Sequence, residues 1–91
     1  FTVSHAVITT GAIDASIGIM DYDLEEAEFA RTVISRGKRA IVVTDHSKFG
    51  RQGLVRVCAF NALTDLFTDK APPRDIASAL KTAGVSLTLA G

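Results

Sequence analysis

The chain has 91 residues, enough for one small domain that buries roughly 60 to 65% of its unfolded surface. Apolar residues make up 47% and charged residues 22%, with ten basic residues balancing ten acidic ones. This composition excludes a disordered chain, a basic DNA-binding face and a membrane-spanning segment. We therefore expect that this segment contacts neither a membrane nor DNA.

The first predicted element is a strand over residues 3–9, a short apolar run that ends at Thr10 and Gly11. The sequence has no initiator Met and no signal-peptide layout, so we expect a longer polypeptide to precede this strand. Residues 11–22 carry two glycines and two aspartates, which predicts a loop of about a dozen residues. Loops of that length in compact domains are usually functional.

The next element is a helix capped by Asp23, with Glu26 in capping-box spacing and Gly37 as its end. An unbroken Ala-Ile-Val-Val core then predicts a strand over residues 39–44, buried on both faces of a parallel sheet. A polar turn over residues 45–53 follows this strand.

Two short extended pieces come next, over residues 54–58 and 66–68. The first contains the single cysteine, Cys58, which we interpret as a small buried hydrophobe. The sequence has neither a disulfide framework nor a Cys/His metal spacing. We therefore expect a cytoplasmic protein that uses no metal and no cofactor.

The chain closes with a helix opened by two prolines and ended by Gly84, followed by a strand over residues 85–89. This order of elements is typical of the α/β class, with an open, mostly parallel sheet and flanking helices. Ligands of such sheets bind beyond the carboxyl ends of the strands. The loops over residues 11–22 and 45–53 are therefore the predicted binding region.

The turn after the second strand carries a carboxylate, an imidazole, a hydroxyl and an ammonium in succession, on Asp45, His46, Ser47 and Lys48. Lys48 is a compact charge that suits a phosphate, and Gly50 permits a tight turn. Asp45 is equally well explained as the cap of the next element in a solvated turn. A catalytic triad is discounted, because neighbouring residues at an extended strand end point in alternating directions.

The loop after the first strand offers Asp14 and then an acidic cluster, whose carboxylates suit sugar hydroxyls. Metal binding is the weaker interpretation, because no histidine lies nearby and the acidic residues at the helix start are better explained as caps. His5 is interpreted as a core or flank residue of its strand. Three phenylalanines are assigned to the core, because no basic residues are interleaved with them: Phe29, Phe60 and Phe67.

At these two loops the sequence resembles the C-terminal sensor domain of DeoR-family bacterial transcriptional repressors. In that family a strand leads to a G-I-D-like loop and an E-E-A helix, here residues 11–14 and 24–27. An A-D-H-S-K-F-G-R signature, a V-R-V-like strand and a T-D segment follow, here residues 44–51, 55–57 and 68–69. The resemblance covers essentially the whole chain, and the D-H-S-K-F-G run is its most specific part.

The resemblance implies a fold like ribose-5-phosphate isomerase, glucosamine-6-phosphate deaminase and the CoA transferases, used to sense a phosphorylated sugar or polyol. A D-x-S-K run also occurs in the isomerases, where its lysine lies in the sugar-phosphate pocket. The implied effector-binding residues come from both loops and the following helix start: Gly11, Asp14, Glu25, Glu26, Asp45, Ser47 and Lys48. No catalytic residue is expected among them.

Two parts of such a repressor have no counterpart in this sequence, the glycine-rich phosphate-binding turn and the helix-turn-helix that contacts DNA. By the resemblance both belong before Phe1, so we expect residues 1–91 to be the C-terminal part of the sensor domain. An absent first half would expose a sheet edge and an apolar surface, which predicts a homo-oligomer or another partner.

Three functions remain open from the sequence. The first is a sensor whose effector relieves repression of carbohydrate catabolism genes. The alternative is a fragment of a sugar-phosphate isomerase or deaminase-like enzyme, with Asp14 or a glutamate as the base. The third is a structural module with no affinity for anions. Residues 22–26 replace the glycine-rich turn of the isomerases, which favours sensing over catalysis.

Overall fold

A computed structural model describes residues 3–89. Its strands and helices are β1 (Val3–Ile8), β2 (Ala12–Asp14), β3 (Gly18–Asp21), α1 (Leu24–Arg36), β4 (Gly37–Val43), β5 (Val55–Cys58), β6 (Asp65–Thr68), α2 (Arg74–Thr82) and β7 (Ser86–Leu89). Two single turns of 3-10 helix, His46–Lys48 and Phe60–Ala62, lie in the connections between strands.

Four strands form an all-parallel sheet in the order β1-β4-β6-β7. In its register Val7 lies beside Ile41, Ile41 beside Asp65, and Asp65 beside Ser86. The predicted α/β class, with an open parallel sheet and flanking helices, is confirmed.

Residues 11–22 were predicted to be a long loop, and this prediction is wrong. They form a β-hairpin in which β2 and β3 pair antiparallel, with Ile13 opposite Ile19. Strand β5 pairs with the other side of β3, giving a second sheet of three strands. A Cβ atom on Gly18 would lie 2.5 Å from the carbonyl oxygen of Cys58, so the close approach of β3 and β5 explains this glycine.

A single core joins the two sheets and the two helices. Its largest fully buried side chains are Ile13, Ile19, Val42, Leu66, Ile76 and Leu80, and the polar Thr68 is buried as well. Burying one Leu or Ile side chain stabilises a fold by about 1.5 to 3 kcal/mol. Cys58, expected to be buried, is half-buried and packs against this core.

Strand β4 is buried on one face, so the prediction of burial on both faces is wrong. Ala40 and Val42 lie in the core that both helices share, whereas Val43 is 44% exposed. Successive side chains of a strand point to opposite faces, which places Arg39 on the same open face as Val43. There the Arg39 Nη2 atom lies 2.6 Å from Oδ1 of Asp65.

Helix α1 runs directly into β4. The carboxylate of Asp23 caps the helix, accepting hydrogen bonds from the backbone N–H groups of Glu25 and Glu26 at 2.8 and 3.4 Å. The predicted end of the helix at Gly37 is also confirmed, but Gly37 is at the same time the first residue of β4. A Cβ atom on Gly37 would lie 2.6 Å from the Cβ of Ala6, so the close approach of β1 leaves no room for a side chain at this position. Neither helix within residues 3–89 is long and apolar enough to cross a membrane.

Candidate functional site

Three chain segments meet where the parallel strands end. The turn over residues 45–50, here called the β4 turn, follows β4, and Asp69 follows β6. The backbone N–H of His46 donates to Oδ1 of Asp69 at 2.8 Å, and that of Gly50 donates to the carbonyl of Ile13 at 2.9 Å. The β4 turn is therefore anchored at one end to the parallel sheet and at the other to the hairpin.

Asp45 and Ser47 are hydrogen-bonded to each other. The Oδ1 atom of Asp45 accepts hydrogen bonds from the backbone N–H of Ser47, at 3.1 Å, and from its hydroxyl. The hydroxyl hydrogen bond is the main reason that the pKa of Asp45 lies below its ordinary value. Asp45 thus caps the 3-10 turn, and the lone pairs of the Ser47 hydroxyl remain able to accept further hydrogen bonds.

Lys48 is half-buried in the same turn. Its ammonium makes no hydrogen bond or salt bridge with any residue between Val3 and Leu89. Its charge contributes to the lowered pKa of the Asp45 carboxyl. An ammonium without a protein partner keeps its three N–H donors for water or an anion, so Lys48 is available to a ligand.

Asp69 is a site residue that the sequence did not single out for ligand binding. Besides the backbone contact, its Oδ2 lies 2.9 Å from Nδ1 of the His46 ring. The hydrogen bond from the His46 side chain is the main cause that lowers the pKa of Asp69 to about 2. His46 pairs with Asp69 rather than with Asp45 or Ser47, which agrees with the earlier argument against a catalytic triad in this turn. Asp69 directly follows β6, the third strand of the parallel sheet, and this position was the sequence signal that could have identified it.

Asp14 and Gly11 shape the hairpin. The Oδ2 atom of Asp14 accepts hydrogen bonds from the Ser16 hydroxyl at 2.7 Å and from the backbone N–H groups of Ser16 and Ile17 at 3.0 and 2.9 Å. The Ser16 hydroxyl is the main cause of the lowered pKa of Asp14. A Cβ atom on Gly11 would lie 3.1 Å from the Tyr22 ring. Both residues therefore have a local structural role beside any contact with a ligand.

Glu25 and Glu26 lie at a separate cavity of about 470 Å³ beside the end of β1. Its lining is Val7, Ile8, Thr9, Asp21, Glu25, Glu26, Phe29 and Ala30. Three carboxylates and no basic side chain line it, which suits hydroxyl groups better than a phosphate. The residues of the β4 turn are not part of this lining, so the predicted site residues fall into two groups.

Phe29, assigned to the core from sequence, is 72% exposed here, because the part of the chain that the structure describes leaves this side of α1 uncovered.

Comparison with known proteins gives one family and several relatives. The family described as the DeoR C-terminal sensor domain matches residues 1–70. A glycerol-3-phosphate regulon repressor of Haemophilus influenzae is 34% identical over 89 residues, and the HTH-type transcriptional repressor CsqR of Escherichia coli K12 is 28% identical over 89 residues. A putative aga operon transcriptional repressor of Escherichia coli O157:H7 is 34% identical over 80 residues. These alignments cover 98, 98 and 88% of this chain and 34, 34 and 30% of the respective relatives, so the chain spans about a third of their length.

Proposed function

This chain belongs to the DeoR C-terminal sensor domain family, and on that premise we propose that it is the effector-binding part of a transcriptional repressor. A phosphorylated sugar or polyol binds beyond the strand ends and weakens the hold of the repressor on its operator, which allows carbohydrate catabolism genes to be expressed. In this proposal the DNA contacts belong to an N-terminal domain, and the protein is a cytoplasmic homo-oligomer. The repressor names of all three relatives, one of them for a glycerol-3-phosphate regulon, support this function.

The observation that carries the proposal is Lys48, a half-buried residue whose ammonium has no hydrogen-bond or ion-pair partner among residues 3–89. It lies in a turn that two hydrogen bonds hold in place, so the backbone that carries Lys48 is ordered before a ligand arrives. An ammonium donates charge-assisted hydrogen bonds to phosphate oxygens, which are roughly twice as strong as neutral ones. We assign Lys48 to the phosphoryl group and Asp45 to the ordering of the turn. Ser47, whose hydroxyl donates to Asp45, is assigned to accept a hydrogen bond from a hydroxyl of the ligand.

The carboxylates at the neighbouring cavity suit the uncharged part of such a ligand. Glu25 and Glu26 are exposed at the start of α1, where they can accept hydrogen bonds from sugar hydroxyls. Gly11 and Asp14 belong to the hairpin whose strand β2 contacts the β4 turn, and we retain them as residues that border the site.

An effector changes operator binding only as far as it prefers one conformation of the repressor over the other. Each tenfold preference corresponds to about 1.4 kcal/mol of coupling between the two sites. We place the origin of that preference in the β4 turn, because its two hydrogen bonds connect a bound anion to both sheets.

A thermal-shift screen of the full-length gene product tests the function. The panel pairs phosphorylated sugars and polyols with their unphosphorylated counterparts, and a product assay follows every hit. A phosphate ester at a hundredfold excess over its dissociation constant stabilises the fold by about 2.7 kcal/mol and is recovered unchanged. If the hit is isomerised or deaminated, the protein is an enzyme and not a sensor. If no compound binds, the protein is a structural module.

The assignment of Lys48 has its own test. We expect Lys48→Ala to weaken binding of the phosphate ester by about 1.5 to 3 kcal/mol, because a charge-assisted hydrogen bond is lost. Lys81→Ala is the matched control, since Lys81 is an exposed lysine in the last turn of α2. Equal affinity of the Lys48→Ala variant and the wild type removes Lys48 from the site.

A further inference from the structure

Only one of the two nitrogens of the His46 ring is hydrogen-bonded to another residue between positions 3 and 89. Its Nδ1 lies 2.9 Å from the carboxylate of Asp69, and its side chain is 50% exposed. An ionised carboxylate only accepts hydrogen bonds, so the shared hydrogen resides on Nδ1. In a neutral imidazole the other nitrogen, Nε2, is then an acceptor. Nε2 makes no hydrogen bond to any residue from position 3 to position 89.

His46 and Lys48 lie on different sides of the same short turn. They are two positions apart in a 3-10 turn, where successive residues rotate by about 120°, so their side chains leave the backbone about 120° apart. Two groups in this arrangement contact different parts of a small ligand rather than one atom. If Lys48 holds the phosphoryl group, the half-exposed ring of His46 is left to contact another part of the molecule.

We propose that Nε2 of His46 accepts a hydrogen bond from a hydroxyl group of the effector, and that Asp69 is the positioning residue that orients the ring. This inference rests on the function proposed above. The inference adds ligand specificity to that function. The ammonium binds any phosphate, whereas the imidazole distinguishes ligands by a hydroxyl group. Asp69 acts through His46 and does not itself touch the ligand.

Substitutions at position 46 separate the ligand contact from the anchoring role. His46→Asn keeps an N–H near the position of Nδ1, which preserves the hydrogen bond to Asp69, but it has no counterpart of Nε2. His46→Ala removes both. The probes are glycerol 3-phosphate, fructose 1-phosphate and inorganic phosphate, titrated into the full-length gene product.

We expect His46→Asn and His46→Ala each to lower the affinity for whichever ester binds the wild type by about three- to tenfold, the effect of one lost hydrogen bond. Affinity for inorganic phosphate stays unchanged in both, whereas Lys48→Ala lowers it. Full ester affinity of His46→Asn together with weak binding by His46→Ala would show that the ring only anchors the turn, which overturns the inference. If the wild type binds neither ester but binds other phosphorylated compounds, those replace the esters as probes; if it binds no phosphorylated compound at all, the proposed function and this inference both fall.

The role of Asp69 has a spectroscopic readout that does not depend on the ligand. We expect ¹⁵N-edited NMR spectra of the neutral wild-type ring to show its hydrogen on Nδ1. Asp69→Asn presents an amide that donates to Nδ1, which moves the hydrogen to Nε2 and turns the acceptor into a donor, as seen when an orienting aspartate is replaced in the serine protease triad. Asp75→Asn is the control, since Asp75 also accepts a backbone N–H, from Ile76 at 2.9 Å. An Nε2–H tautomer in the wild type contradicts the inference.

Discussion

The backbone N–H of Gly50 donates a 2.9 Å hydrogen bond to the carbonyl oxygen of Ile13, which joins the β4 turn to the hairpin sheet. Gly50 has a φ of +79°, a left-handed conformation that side chains other than glycine rarely adopt. Gly84, after α2, has the same φ, and a Cβ atom would have open space at both positions. The two glycines thus differ in location and not in backbone strain.

Replacing each of these glycines by alanine tests whether the conformation of the β4 turn matters for binding. We expect Gly50→Ala and Gly84→Ala each to lower the free energy of unfolding by about 1 to 2 kcal/mol, the cost of a left-handed residue with a Cβ. Only Gly50→Ala should also weaken binding of the phosphate ester, because it moves Lys48. Urea unfolding and ligand titration measure the two effects. Equal losses of ligand affinity in both variants would contradict this prediction.

The anchoring of the β4 turn by Asp69 predicts a loss of stability in acid. The pKa of Asp69 is lowered from 3.8 to about 2 in the folded protein, chiefly by the hydrogen bond from His46. A carboxyl group with a depressed folded pKa contributes stability that is present above its unfolded pKa and is lost as the pH falls through the folded value. The contribution of Asp69 therefore disappears between about pH 4 and pH 2.

Urea midpoints measured across this pH range check the contribution of Asp69. We expect Asp69→Asn to have a shallower decline below pH 4 than the wild type. Other carboxyl groups with a lowered pKa, those of Asp14, Asp45 and Asp65, continue to produce an acid-dependent loss in every variant. Parallel declines of Asp69→Asn and the wild type would show that the contact with His46 does not form.

Cys58 is predicted to be an unreactive thiol. Burial raises its pKa from 9.0 to about 11, although Arg56 nearby partly opposes this shift. Two pKa units reduce the thiolate fraction near neutral pH by about a hundredfold, and the thiolate is the reactive form. Alkylation by iodoacetamide should therefore be about a hundredfold slower in the native protein than in guanidinium. Similar rates in the two conditions would show that Cys58 is exposed.

The core between the two sheets predicts a large difference between two leucines. Leu66 in β6 is fully buried, whereas Leu54, just before β5, is 81% exposed. We expect Leu66→Ala to lower the free energy of unfolding by about 2 to 5 kcal/mol, because it leaves a cavity. Leu54→Ala should change it by less than about 0.5 kcal/mol. Urea denaturation of both variants distinguishes a packed core from a loose one, in which the two costs would be similar.

Local sequence signals predicted most of the fold. Asp23 and Gly37 bound α1 as expected, because caps are recognised by residue type alone. The hairpin was missed because glycine and aspartate are typical of loops, and because its strands, of three and four residues, are too short to show a clear alternation of apolar and polar residues. The one-sided burial of β4 was also missed, since an unbroken apolar run does not show what covers each face.

The candidate site was predictable in its location and not in its contacts. Adjacent strand ends had to lie at the same edge of the sheet, and the structure brings the β4 turn against Ile13 there. The pairing of His46 with Asp69 joins residues 23 positions apart, and neither residue type nor local spacing indicates it. The separation of Glu25 from the β4 turn likewise depends on how α1 packs against β1, which is a tertiary property.

The direct passage from α1 into β4 limits how this domain can vary in length. One residue inserted between Arg36 and Gly37 would move every side chain of β4 to the opposite face of the sheet, because the side-chain period of a strand is two. Arg39 would then enter the core, and Val42 would leave it. Insertions and deletions among descendants of this sequence should therefore collect in the connection from residue 70 to residue 73, where the chain is exposed for most of its length, and spare the helix-to-strand junction.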